Sequence, residues 1–309
     1  MIDRRAFVLG GAALAATAMT GRTAHAGVAD ALRSALASEC GDRRRAIEGT
    51  LRRMASVTPP GPGRCILVDI PSQHLAIYHD GVPVLESRVV VGDPDWRTPI
   101  MDTRATWVRL SPTWTVPESI LRKRDWRGRL ARDPGYFENL GFLVELGGRM
   151  VSPSEAAGRA RSVGRFVQQP GPGNALGAMK IALAAGNAIY LHDTSDPAAF
   201  DETRRDLSHG CIRVERAMDV AADVMGVSVD RAWDMLEADD RSNHDPAGRT
   251  RVQTTYFTAW ADDAGVPIFY PDVYGFDGGT GACPTGDAAH LPSHGAATSY
   301  DAPETLHVR

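Results

Sequence analysis

Residues 65–91 read CILVDIPSQHLAIYHDGVPVLESRVVV, and this stretch decides the fold class. It contains four apolar runs, 65–70, 74–79, 82–86 and 88–91. Each has the length and the β-branched or aromatic content of a strand rather than a helix. Asp80-Gly81 stands alone between the second and third runs. Glycine accepts the positive φ of a type I′ turn at no steric cost, so the pair signals a two-residue hairpin. Strand character returns at 179–184, 188–192 and 254–274. The chain is therefore expected to be mainly β with α additions, an antiparallel β-sandwich or barrel.

Working outward, residues 28–56 place Leu32, Leu36, Ile47, Leu51 and Met54 at helical spacing among many Arg and Glu residues, which predicts one or two amphipathic helices. Pro59-Pro60-Gly61-Pro62-Gly63 ends them and marks a boundary. Before them, Asp3-Arg4-Arg5-Ala6-Phe7-Val8-Leu9, an Ala/Gly-rich run and Ala24-His25-Ala26 have the form of a twin-arginine export signal with a small-x-small cleavage site. The expected mature chain begins at Gly27, in the periplasm or cell wall, and no stretch is apolar enough over about 18 residues to span a bilayer.

Residues 117–178 interrupt the β pattern with charged, helical-looking sequence and the loop Gln169-Pro170-Gly171-Pro172-Gly173-Asn174-Ala175-Leu176-Gly177. So long an excursion in a compact domain reads as a capping lid beside a site. Helices are predicted at 214–225 and 229–237, and a loose tail at 278–309. The resulting plan is a signal at 1–26, a helical extension at 27–62, a mainly β domain at 63–225 with the insertion at 117–178, a helix/strand extension at 226–277 and the tail at 278–309.

Composition narrows the function classes. With 43% hydrophobic and 23% charged residues among 309, the chain is neither disordered nor fibrous. Its 34 basic and 38 acidic residues leave a net charge of -4, so there is no whole-chain basic footprint for nucleic acid. Only Lys123 and Lys180 are lysines, a scarcity that reads as coding bias. The four cysteines, Cys40, Cys65, Cys211 and Cys283, lack a C-x-x-C pair. They suggest neither a zinc ribbon nor a dense disulfide scaffold, and a Cys40–Cys283 bridge is one available pairing. No metal or nucleotide motif is present, and no cofactor is expected.

The chemistry lies in Tyr190-Leu191-His192-Asp193-Thr194 and Ser208-His209-Gly210-Cys211-Ile212-Arg213. A cysteine is nucleophilic as its thiolate and needs an imidazole to take its proton or a positive surrounding to lower its pKa. His192 and His209 both compete for the role of base. Gly210 would allow close backbone approach, and a helix expected to follow Cys211 would add positive potential and N–H groups for an oxyanion. In papain-like peptidases the cysteine precedes the histidine, whereas His192 precedes Cys211 by 19 residues here. A non-catalytic wall-binding protein would tolerate loss of Cys211.

These residues resemble the L,D-transpeptidases of the YkuD family, whose motif is a strand-end His followed by a Ser-His-Gly-Cys turn. The resemblance extends over about residues 63–225, through Asp95-Trp96-Arg97-Thr98-Pro99, and is closest to a branch with a capping insertion, on Pro112-Thr113-Trp114-Thr115-Val116-Pro117, Arg132-Asp133-Pro134-Gly135-Tyr136 and Thr258-Ala259-Trp260. No peptidoglycan-binding repeat is expected in residues 27–62. The resemblance implies acyl transfer between peptidoglycan stem peptides, donor and acceptor, through a thioester on Cys211, with 3→3 diaminopimelate cross-links favoured. Cross-linking from the first stem residue, carboxypeptidase action and D-amino-acid exchange share the motif. It further implies catalytic roles for Cys211, His192, His209 and Gly210, substrate contacts from Arg213, Ser208, Asp193, Tyr190, Trp114 and Tyr136, and inhibition by carbapenem-type β-lactams.

Overall fold

The computed structural model describes residues 21–185 and 189–279. Helices α1 (Gly21–Ala35) and α2 (Gly41–Met54) realise the predicted pair. Their apolar stripes supply Val28, Leu32, Ala46 and Ile47 to a small core shared with Ala259 and Ala261. The expected cleavage junction lies inside α1, where His25 is buried edge-on against Trp260 at 5.3 Å and Phe257 at 6.1 Å. Residues 1–20 of the expected signal lie outside the described residues, as do most of the expected tail and Cys283. Cys40 is disulfide-bonded, and Cys65 and Cys211 are free thiols.

Strands β1 (Arg64–Asp69) and β2 (His74–His79) pair antiparallel, and Asp80 and Gly81, with φ of 50° and 81°, turn the chain into β3 (Val82–Gly92). Both turn residues are left-handed, as the type I′ reading requires. The two runs expected at 82–86 and 88–91 form this one long strand. β4 (Met101–Leu110) then crosses the sheet.

The insertion carries the expected helices and adds a small sheet that the sequence did not announce. β5 (Trp114–Thr115), helices α3 (Glu118–Lys123), α4 (Trp126–Arg132) and α5 (Pro134–Asn139), β6 (Phe142–Leu146), β7 (Arg149–Val151), α6 (Pro153–Ala156) and β8 (Val163–Gln168) fold around a four-stranded sheet ordered β5-β8-β6-β7. Phe142, Val144 and Leu146 alternate inward with half-buried neighbours, the period-2 pattern of a strand with one wet face. Trp126, Leu130, Phe137 and Phe166 complete a core separate from the main one. The glycine-rich loop is tied down: the Gln168 amide donates to Leu140 O at 3.0 Å and Gly173 O at 2.8 Å, and the Asn174 amide donates to Gln169 O at 2.9 Å.

β9 (Met179–Leu183), β10 (Tyr190–His192), β11 (Asp206–Ser208) and β12 (Ile212–Val214) return to the main sheet. Helices α7 (Ala217–Met225) and α8 (Val229–Glu237), then β13 (Asn243–His244), β14 (Thr250–Thr255) and a β15 (Ala259–Ala261)–β16 (Pro267–Phe269) ribbon complete the described chain. The predicted 214–225 helix starts only at Ala217, because Val214 is taken into β12 opposite Val89. The 10-stranded sheet runs β11-β3-β12-β10-β9-β4-β14-β1-β2, with β13 on β4, and the further β2–β3 pairing closes it on itself. Its pairings are antiparallel except β1–β14, β10–β12 and β11–β3. The mainly β barrel or sandwich is thus a mixed sheet. Among the described residues no helix is long and apolar enough to cross a membrane.

Candidate active site

The parallel β10–β12 pairing builds the site. Leu191 lies opposite Ile212 and His192 opposite Arg213. Leu191, Ile212 and Val214 are fully buried in the main core, so alternation along each strand turns His192 and Arg213 to the other face, and Cys211 ends the turn just before β12. The turn that carries Cys211 is thereby brought beside the strand that carries His192, 19 residues earlier in sequence. β9 extends the row on the other flank, with Lys180 opposite His192.

His192 is 5% exposed, and its Nδ1 lies 2.5 Å from the Asp193 carbonyl oxygen. A carbonyl only accepts, so Nδ1 carries the proton and Nε2 keeps its lone pair. Burial, then the Arg213 and Lys180 charges, hold the imidazole at a pKa of about 3 against the Asp193 bond. His192 is therefore a neutral imidazole in the resting protein. Burial pushes the Cys211 thiol up, opposed by a hydrogen bond from the Tyr190 backbone and by the Lys180 and Arg213 charges. The resting pair is thiol and imidazole.

The 208–211 turn is held by Ser208, whose hydroxyl accepts from Gly210 N at 3.1 Å and donates to Cys211 O at 2.5 Å. Gly210 has φ +101°, which a side chain would strain. Thr98 pins its carbonyl at 2.9 Å while accepting from Gly92 N at 2.9 Å, and the Tyr274 hydroxyl accepts from Thr98 N at 3.0 Å. Two sequence readings change here. Cys211 leads into a strand, not a helix, so no helix terminus backs it. Ser208, expected to touch substrate, is spent on the turn.

His209 sits beside Trp96, ring centroids 5.2 Å apart, and its Nδ1 has no hydrogen-bond partner among the described residues. Burial, with Arg124, Lys123 and Arg213, lowers its pKa to about 4. Two of those cations come from the insertion: Lys123 at the end of α3 lies 5.4 Å from the Trp96 ring and 3.7 Å from Asp95 Oδ2. The insertion therefore reaches the site at the Trp96–His209 wall.

Other expected substrate residues are placed differently. Asp193 accepts from Ala178 N at 2.7 Å, and a Cβ on Gly177 would lie 2.3 Å from its carboxylate, so Asp193 anchors the glycine-rich loop to β10. Trp114, 7% exposed, packs edge-on against Trp126 and Phe142 in the insertion core. Tyr136 packs beside Phe137 with the Arg129 guanidinium 3.4 Å over its ring. Arg213 is buried and reaches Asp196 at 3.8 Å, a loose ion pair within the chain. Tyr190 does stand at the site, half-buried, with Lys180 Nζ 4.0 Å from its ring centroid. Lys180 was not singled out as a site residue in the sequence, although one of only two lysines falling on the strand before His192 was visible, and Trp96 stood only within the motif Asp95-Trp96-Arg97-Thr98-Pro99 with no site role. Among the described residues no group of three or more His, Cys, Asp or Glu side chains forms a metal site.

Residues 63–231 match the L,D-transpeptidase catalytic domain, YkuD. The chain belongs to the YkuD L,D-transpeptidase family. A Haemophilus influenzae protein that carries the name of an L,D-transpeptidase is 31% identical over 219 residues, 69% of this chain but 44% of that protein, so this chain spans under half of its relative's length. Among solved structures, Mycobacterium tuberculosis L,D-transpeptidase 1 aligns over 64% of this YkuD protein and 63% of its own chain, at 12% identity and a TM-score of 0.28. L,D-transpeptidase 3 of the same organism, in complex with a faropenem-derived adduct, aligns over 63% and 61%, at 12% identity and a TM-score of 0.31.

Proposed function

We propose that this YkuD-family protein is an exported peptidoglycan L,D-transpeptidase that forms 3→3 cross-links through a thioester on Cys211. The observation that carries the reading is the β10–β12 register, which sets the oriented, neutral imidazole of His192 on the strand paired with the one that Cys211 leads into. Nε2 of His192 takes the Cys211 proton as sulfur attacks the carbonyl of the L-centre of a donor stem peptide. The C–N bond then breaks, His192 returns the proton to the leaving D-alanine amine, and the acyl group remains on sulfur. The side-chain amine of an acceptor diaminopimelate attacks the thioester, gives its proton to His192 and releases the Cys211 thiol. Because the resting pair is neutral, charge develops only during attack, where Lys180 and Arg213 stabilise the thiolate.

The insertion favours aminolysis over hydrolysis by covering the Trp96–His209 wall. The amino-terminal sequence supports twin-arginine export to the periplasm; cleavage after Ala26 would remove His25 from the Trp260 contact but leave Val28 and Leu32 in their core. The test is incubation of the protein with disaccharide-tetrapeptides, followed by muramidase digestion and fragmentation of the products by mass spectrometry. Dimers joined 3→3 are expected. Linkage from the first stem residue would move the donor site, and monomers lacking D-alanine alone would make the protein a carboxypeptidase.

A further inference from the structure

One row of side chains crosses the sheet through the base. Register aligns Arg109 with Lys180, Lys180 with His192, and His192 with Arg213. Three cations therefore share a line with the imidazole, yet two are committed: Arg213 reaches Asp196 at 3.8 Å and Arg109 donates to Asn243 at 2.8 Å. Among the described residues, no carboxylate lies within ion-pair distance of Lys180. Its half-buried ammonium is held instead by aromatic faces, 4.0 Å from the Tyr190 centroid and 5.2 Å from that of Trp107. An ammonium on rings keeps its hydrogen-bond donors for an anion, since ring faces satisfy charge but accept little. Lys180 also lies close enough to Cys211 for its charge to favour the thiolate when one forms, which ties its head group to the reacting centre.

Which anion fits follows from the place of Lys180, resting on the transpeptidase reading above. Lys180 stands across His192 from β12, the strand that Cys211 leads into. His192 must hold the amine that leaves and the amine that arrives, so a group just beyond it meets the substituent on that amine's own carbon. In both amines that substituent is a carboxylate: the leaving D-residue and the D-centre of an acceptor diaminopimelate are each an α-amino carboxylate. We propose that Lys180 is a specificity-determining residue whose ammonium pairs with the α-carboxylate of the departing D-amino acid, and then with the same group on the incoming acceptor. One subsite would thus read both halves of the exchange and orient each amine toward Nε2 of His192.

The test compares donor tetrapeptides ending in free D-alanine or in D-alaninamide, with the wild type, Lys180→Met and Lys180→Arg. Methionine keeps an apolar stem against Tyr190 and Trp107 while removing the charge. Thioester formation is followed by intact-mass spectrometry, and kcat/KM is taken for each donor. The wild type is expected to prefer the carboxylate donor by about 10- to 100-fold, the range for a hydrogen bond to a charged group. Lys180→Met brings this ratio close to one through a raised KM for the carboxylate donor, and Lys180→Arg retains most of it. A ratio in Lys180→Met equal to that of the wild type, with acylation still observed, overturns the subsite and leaves the transpeptidase reading standing. Absence of thioester from either donor in the wild type overturns that reading and the subsite with it.

Discussion

Replacing His192 by asparagine should make the folded protein less sensitive to acid. Asparagine can keep an N–H aimed at the Asp193 carbonyl but cannot titrate. His192 has a pKa of about 3 in the fold against 6.5 for the free side chain. Between these values the unfolded chain binds a proton that the native site refuses, so stability falls as pH drops below 6.5 and continues to fall toward 3. At pH 7.5 the penalty is close to zero, whereas at pH 5.0, 1.5 units below the free value, it is about 2 kcal/mol. His25 and His209, both also lowered to about 4, titrate in wild type and variant alike and cancel in the comparison. Urea denaturation of both proteins at the two pH values measures this: relative to wild type, His192→Asn should gain about 2 kcal/mol on going from pH 7.5 to 5.0. An unchanged difference would refute a neutral, desolvated imidazole at this position.

Alkylation of Cys211 by iodoacetamide, resolved from Cys65 by peptide mapping, should accelerate about tenfold per pH unit from pH 6 to 9, because the resting thiol is pushed up by burial; a plateau below pH 7 would mean a preformed thiolate. His209→Ala should keep measurable acylation by a β-lactam where His192→Asn loses it, since Nδ1 of His209 has no hydrogen-bond partner among the described residues to orient it. Phe166→Ala, which empties a fully buried position touching Trp126 and Phe137, should cost about 3–5 kcal/mol and raise hydrolysis relative to cross-linking in product analysis.

Local signals were legible where local physics decides them. The left-handed pair Asp80-Gly81, the helical spacing of Leu32 and Ile47, and the His192 and Cys211 motif halves could each be read without knowing their neighbours. Pairing was not. Nothing near His192 announces that β10 lies parallel to β12, nor that β9 sets Lys180 beside it, because register is fixed by strands distant in sequence. Val214 reads equally well as the first turn of a helix until β3 claims it. Ser208, Asp193 and Trp114 are residue types suited to binding, and the fold spends them on a turn, a loop anchor and a core. The insertion sheet escaped because β5 and β7 are too short to show period 2.

The central claim, acyl transfer to Cys211 with His192 as base, is tested most directly by trapping the acyl-enzyme. Purified protein is incubated with a carbapenem, its intact mass is recorded, and the modified peptide is sequenced by fragmentation. The account predicts one adduct per chain on the peptide bearing Cys211, absent in Cys211→Ala and formed far more slowly in His192→Asn. An adduct on Cys211→Ala, or wild-type acylation rates in His192→Asn, would contradict it.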